Sequence, residues 1–439
     1  MHLSNGIYGF TSSTRALPNT LSSNECTSGK TKYARLIEKT EQPNLKSELS
    51  SRERLLGAIN LEEPDHVPLW LRFFGRQYFI DRDRPWNDQF DRVDQLLKLG
   101  LDDSIGISPQ LSHREGVRIR KRKETDTGER YPLIVKEYVT AGGTLRQVAR
   151  QTPDWPQGDD VNIFDDYNVP SARTRKYLVE NAADLDALNC LFGEPTGEEL
   201  DGFYTHAEKV RDFTRNREVL MEGEGPMLGD AAVWLCGIER VVLAEVKDPR
   251  FLHRLLEIIH GWDMLRIRLL LEAGVDIVFH RGWYESAMFW SPRAYGQFLE
   301  PLIREEVDAV HRAGVKFGYI ATREIMPLLG ILSEMGVDLL FGPDPVEGNC
   351  DLRRVKEEVG EDICLWGGVN SAVTLEQGSK GQIGDAVLEA IRTLAPGGGF
   401  ILGLVDAIFG RTAGTIETPS DSLGCVIDFW KKMREDVRQ

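Results

Sequence analysis

Several short apolar runs in this 439-residue chain end in residues able to do chemistry. In order, these are Arg72 and Arg76; Glu222 and Glu224; His280, Arg281, Trp283, Tyr284 and Glu285; Tyr319 and Arg323; Asp344; Asn370; and Asp406. Glu222 and Glu224 share one strand parity, so both are expected to point into a common mouth. Two carboxylates that close favour a shared proton or a bound cation, unless an arginine such as Arg72 or Arg281 pairs with one of them. His280 is a candidate ligand, base or packing residue. Trp283 and Tyr284 either roof the core or stack on a planar aromatic ligand. Neither a Ser/His/Asp or Cys/His constellation nor a phosphate-cradling loop is legible from spacing.

The elements that must position these residues recur along the chain. Apolar runs stand at 66–73, 102–107, 218–225, 275–281, 316–321, 339–343, 364–369 and 399–404, each flanked by Gly or acidic residues. From the third run on, a helical pattern fits between neighbours, as in DPRFLHRLLEIIHGWDMLRIRLLLEAG before 275. Short buried strands alternating with helices predict an α/β fold, a parallel (β/α)8 TIM barrel, whose sites form at the C-terminal strand ends. Ser50 and Ser51 before Arg52-Glu53-Arg54-Leu55-Leu56 predict a capped helix start. The stretch 108–217 breaks the alternation. Period-two patterns around Gly128 and Gly142-Gly143 predict antiparallel hairpins inserted after the second strand, over the mouth. Residues 1–48, rich in Ser, Thr and Asn, predict a flexible N-terminal extension, and 49–439 one folded unit.

Composition narrows the function classes. Hydrophobic residues make up 41% and charged residues 28%, ordinary for a globular enzyme. With 53 Lys and Arg against 69 Asp and Glu, the net charge of −16 argues against nucleic acid as a partner. No run approaches the roughly 20 apolar residues of a membrane span. Six cysteines without a Cys-x-x-Cys pair read as reduced thiols in a cytoplasmic protein. Self-association is left open.

Longer segments carry a resemblance from about 50 to 435. They are RERLLGAINLEEPDHVPLW, EGPMLGDAAVWLCGIERVVLAEVKDPRFLHRLL, GVDIVFHRGWYESAMFWSPRAYGQFLEPL, GVDLLFGPDPVEGNCDLRRVKEEVG, LWGGVN, GGGFILGLVDAI and TPSD. Taken in this order, the chain resembles the uroporphyrinogen decarboxylase superfamily, which includes corrinoid-dependent methyltransferases. The decarboxylases look like RQAGRY after the first strand, where this chain reads LRFFGRQY, and their aspartate after the second strand is missing from SIGISPQL. The thiol-methylating branch carries His-x-Cys and a later Cys on zinc, and those places fall here at Ile320, Thr322 and about Asp406. The aryl methyl ether demethylating branch resembles Glu-x14-Glu-x20-His, met here by Glu224, Glu239 and His260.

That third branch implies zinc on Glu224, Glu239 and His260, acting as a Lewis acid on an ether oxygen. A second metal set is Glu222, Glu224, His280 and Asp406. The expected activity is transfer of a methyl group from a small methoxylated aromatic substrate to a corrinoid. No Asp-x-His-x-x-Gly stretch occurs, so that corrinoid would ride on a separate carrier protein. His280, Tyr319 and Glu222 are the expected catalytic residues. Arg72, Arg281, Trp283, Tyr284, Glu285, Asp344, Asn370 and Asp406 are expected to bind substrate, the arginines or Tyr319 anchoring a carboxylate or hydroxyl. The alternatives are a lyase acting on a small carboxylate and a non-catalytic binding protein on the same barrel.

Overall fold

The computed structural model describes residues 49–74, 86–406, 408–409 and 420–436. The expected extension 1–48 and Arg76 lie outside them. In chain order, the strands of three or more residues are β1 (Ser104–Ile107), β2 (Arg118–Glu124), β3 (Leu133–Thr140), β4 (Gly143–Arg150), β5 (Thr174–Lys176) and β6 (Leu220–Glu224). They continue with β7 (Ile277–Arg281), β8 (Lys316–Ile320), β9 (Leu339–Phe341), β10 (Cys364–Asn370) and β11 (Phe400–Val405).

Seven of these form one parallel sheet in the order β11-β10-β9-β8-β7-β6-β1. Each corresponds to one of the apolar runs from 102–107 onward. The first run, expected as a strand over 66–73, is reduced to two bridges and a two-residue strand, Phe73–Phe74, paired in parallel with Ile408–Phe409. Leu69 pairs with Leu402 and Trp70 with Asp102, so this short piece touches both edges of the sheet. The Trp70 N–H donates to the Leu402 carbonyl at 3.1 Å, and the Asp102 N–H to the Leu69 carbonyl at 3.1 Å. Pro68 has no N–H to extend the ladder and only accepts, from Leu402 at 2.9 Å.

Side chains alternate across the sheet. The inner face carries Leu220, Ile277, Phe279, Ile320, Leu339, Phe341, Trp366 and Ile401, packed with Trp70. Trp70 and Trp366 stack with centroids 4.0 Å apart, and the Trp366 indole N–H donates to the Trp70 carbonyl at 2.9 Å. Gly403 makes room, since a Cβ there would stand 2.4 Å from the Trp366 indole nitrogen. Trp366→Ala would empty the centre of this packing and is expected to lower stability by about 3–5 kcal/mol, read from the denaturation midpoint. A loss below about 1 kcal/mol would contradict the packing described.

Helix α1 (Ser51–Ile59) adds Leu55, Ala58 and Ile59 to the inner packing. The outer face packs on helices, of which α2 (Gly197–Arg217), α3 (Leu228–Cys236), α4 (Ile238–Lys247), α5 (Pro249–Ala273), α6 (Pro292–Phe298) and α7 (Glu300–Arg312) bear on the site. Ser50 caps α1 in a reciprocal pair with Glu53, as its sequence predicts. Helix α2 lies inside the stretch expected to be an insertion, but it packs on β1 and β6 as an ordinary crossover helix.

Between β1 and α2, strands β2-β3-β4-β5 form a separate antiparallel sheet. Gly142 lies in the β3–β4 turn because a Cβ there would meet the Asp186 carbonyl oxygen at 2.2 Å. Asp166, in a 3₁₀ turn before β5, reaches Arg281 at the C-terminal end of β7. Among the described residues, no helix is long and apolar enough to cross a membrane.

Candidate functional site

Strand parity decides which expected residues reach the mouth. On β6, Leu220 belongs to the inner packing, so Glu222 and Glu224 two and four residues on also face inward. The Arg72 guanidinium donates to Glu224, stands 4.0 Å from Glu222, and covers the Phe279 ring at 5.3 Å. Glu222 is 8% exposed, and its Oε2 has no hydrogen-bond partner. Burial pushes its carboxyl up to about 7, with Arg72 opposing and Glu224 adding to the rise. A cavity opens beside this group, lined by Arg72, Glu224, Met227, Phe279, Arg281 and Trp283.

His280 and Tyr319, expected as catalytic residues of the mouth, take the opposite parity. Phe279 and Arg281 face inward, so His280 between them points out into the layer between sheet and helices, fully buried. Its Nδ1 lies 2.7 Å from Glu306 on α7, and its Nε2 lies 3.0 Å from Glu285. Burial alone would lower its pKa, but Glu285 and Glu306 outweigh that and hold it well above the usual histidine value. The Tyr319 hydroxyl donates to Glu285 and accepts from Tyr295 at 2.9 Å. Glu285, expected to bind substrate, also accepts from the Gly229 N–H at 2.6 Å near the start of α3. These residues clamp the loop after β7 onto α3 and α7, away from the cavity.

Arg281 does line the cavity, but two carboxylates hold it. It donates to Asp230 on α3 and, at 3.0 Å, to Asp166 of the intervening segment, and it lies 4.5 Å over the Trp234 ring. Tyr284 joins the same group, its hydroxyl donating to Asp166 at 3.0 Å and its N–H to Asp230 at 2.6 Å. Burial pushes the Asp230 carboxyl up to about 7, with Arg281 opposing and Glu285 adding to the rise.

Across the strand ends, Asp344 after β9 and Asp406 after β11 come together with Glu347. Their ligand atoms lie within 4.8 Å of one another, the one such His/Cys/Asp/Glu group found among the described residues. The Asn370 amide donates to Asp344 at 2.8 Å and to Glu347 at 3.1 Å. Arg323 lies 3.0 Å from Glu347 and 3.7 Å from Asp406. Thr322 donates to Asp406 at 3.2 Å. Asp406 has a left-handed backbone, φ 68°, uncommon for a residue with a Cβ. Burial pushes its carboxyl up to about 6, against the pull of Arg323 and with Asp344 and Glu347 adding to the rise.

The spaced set Glu224, Glu239 and His260 is not brought together. Glu224 points into the mouth, whereas Glu239 is exposed on α4 and His260 sits on α5, 3.8 Å from Glu305. Sequence spacing counted along helices that pack outside the sheet, while the strand-end residue faces inside. The second set divides as well: Glu222 and Glu224 stand with Arg72, Asp406 stands with Asp344 and Glu347, and His280 lies behind the sheet. The donors that do converge are all carboxylate oxygens, a set that suits a hard divalent cation better than zinc. Asp166, Asp230, Glu306 and Glu347 join these groups with no local pattern in the sequence to mark them.

A parallel α/β sheet whose polar residues gather at its C-terminal strand ends defines a class of barrel-like proteins with a site at the mouth. Within that class, the family described as Uroporphyrinogen decarboxylase (URO-D) matches residues 175–414, more than half of the chain, and the chain belongs to it. The structure of a methyltransferase from Methanosarcina mazei has the same fold. It is 18% identical with a TM-score of 0.53, over 88% of this chain and 99% of that one. A B12-independent methionine synthase from Shewanella sp. is 10% identical, with a TM-score of 0.39 over 54% of this chain and 66% of that one. A 3-keto-D-glucoside 4-epimerase from E. coli is 12% identical, with a TM-score of 0.31 over 51% of this chain and 84% of that one. These last two are too distant to carry an argument. No curated protein matches the sequence.

Proposed function

We propose that this protein is a methyltransferase, built on a closed (β/α)8 barrel, that moves a methyl group from a small methoxylated aromatic donor to a corrinoid on a separate carrier protein. The observation that carries this reading is the pairing, at one set of strand ends, of an aromatic-walled cavity (Arg72, Glu224, Phe279, Trp283) with an oxygen-donor cluster (Asp344, Glu347, Asp406). Family membership and the fold shared with the Methanosarcina mazei methyltransferase support it. The sheet β2–β5 is read as a wall of the site, because Asp166 beside it meets Arg281.

Phenolate is a poor leaving group, so cleavage of an aryl methyl ether needs the charge on oxygen to be taken up as the carbon–oxygen bond breaks. A divalent cation held by Asp344, Glu347 and Asp406 would supply that as a Lewis acid. The protein's own groups do the rest. Trp283 and Phe279 hold the ring, Arg72 keeps Glu224 in place, and Asn370 fixes Asp344 and Glu347 by donating to both. The test is release of the phenol from a methoxyphenol by the purified protein. Release should require a reduced corrinoid carrier protein, and turnover without any corrinoid would overturn the proposal.

A further inference from the structure

A larger recess opens at the other end of the sheet. It measures about 560 Å³, within the size range of small-molecule sites, and lies where α1 begins, α2 and α5 end, and β6 and β7 start. Strand β7 runs from Ile277 to Arg281, so roughly 13 Å of strand separates this recess from the mouth. Three of its four lining carboxylates already have donors. Asp276 accepts from Arg52 at 2.6 and 3.3 Å and from the Met221 N–H at 2.9 Å. Glu53 accepts from the Ser50 N–H at 2.8 Å, and Glu272 from the Tyr204 hydroxyl. The guanidinium groups are less well matched. Arg52 has Asp276, but Arg211 and Arg215, which also line the recess, make no ion pair among the described residues. Arg211 is half-buried, and its Nε is shielded from solvent without a hydrogen-bond partner. Their neighbour Arg217, by contrast, is matched by Asp94 at 2.6 Å.

We propose that this recess is a second binding site, for a small phosphate monoester held by Arg211 and Arg215. The two arginines stand four apart on α2, which puts them on one helix face with Cβ atoms about 5–6 Å apart. A carboxylate offers one charge and two oxygens, which a single guanidinium fork already satisfies. A phosphate monoester brings about 1.5 to 2 negative charges and three oxygens, enough for both forks. The buried Val219, Met221 and Ala273 give the recess an apolar floor for the body of the ligand. Glu218, the fourth lining carboxylate, is left to accept from a hydroxyl of that body. None of these residues belongs to the mouth or to the Asp344, Glu347 and Asp406 cluster, so the site stands apart from the methyl-transfer reading.

The test titrates ribose 5-phosphate, glycerol 3-phosphate, inorganic phosphate and ribose into the full-length protein by calorimetry at neutral pH. At least one of the two esters is expected to bind with a Kd below about 1 mM, and ribose and inorganic phosphate each about 10-fold or more weakly than that ester. Arg215→Gln, at an exposed position, and Arg211→Gln should each weaken the ester by about 5-fold or more. Arg353→Gln removes an exposed arginine from a helix elsewhere and should leave binding unchanged. Thermal midpoints are read in parallel, and Arg215→Gln decides the matter if Arg211→Gln fails to fold. Neither ester binding below about 1 mM overturns the site. So does a folded Arg215→Gln of unchanged affinity, or an equal loss in Arg353→Gln. Ribose or inorganic phosphate binding as tightly as the better ester overturns the monoester assignment. Methyl transfer at the mouth is untouched by any of these results.

Discussion

His280→Ala is expected to lower stability by about 3–5 kcal/mol, enough to unfold much of a typical protein population at 37 °C. The imidazole is fully buried between Glu285 and Glu306, and removing it leaves two carboxylates facing each other in an apolar layer. Asp263, itself buried and pushed up to about 7 by that burial with Glu306 adding, crowds the same layer further. The raised pKa of His280 also fixes a sign. A histidine titrating higher in the folded than in the unfolded chain stabilises fully below its unfolded value of about 6.5. That contribution is lost as pH rises through the folded value. Unfolding midpoints of the unaltered protein and the variant should therefore converge on the alkaline side and diverge most in mild acid. A variant less than about 1 kcal/mol destabilised would mean that the imidazole is not the counter-charge of Glu285 and Glu306.

The second large effect is on activity and spares the fold. Asp344→Asn combined with Asp406→Asn should cut divalent-cation affinity and methyl transfer together, by about 100-fold or more. Both carboxyl groups are held above their ordinary pKa by burial, so neutral amides relieve a cost of the folded state and the melting temperature should not fall. Cation content measured on the dialysed protein, beside its thermal midpoint, reads both halves. Full activity in the double variant would remove the cluster from the reaction and leave the cavity at Arg72 and Glu224 to be explained alone.

These two sites differ in how far the sequence displays them. The strands of the large sheet are legible because each is a short apolar run closed by Gly or an acid, and their ends then supply Glu222, Glu224, Arg281, Asp344, Asn370 and Asp406. Phase is harder. A strand end says that a residue is near the mouth, but only the packing of Phe279 inside the sheet shows that His280 must point outside. The first strand is broken into two bridges and the pair Phe73–Phe74, and Pro68 within it has no N–H to donate. The Glu224, Glu239 and His260 spacing is a one-dimensional match whose members fall on opposite sides of the sheet. Asp166 escapes the sequence for another reason: it meets Arg281 across 115 residues, and no local pattern records such a pairing. The hairpins around Gly142 were visible because a tight turn demands local residues, whereas the acid delivered just before β5 was not.

The most direct test of methyl transfer follows the carbon. A methoxyphenol labelled with carbon-13 in its methyl group is incubated with the purified protein, a divalent cation and a reduced corrinoid carrier protein, and the products are read by NMR. The labelled carbon is expected to appear bonded to the corrinoid in step with release of the free phenol, with neither signal appearing when this protein is omitted. Label retained on the ether, or released as carbon dioxide or a one-carbon acid, would contradict it.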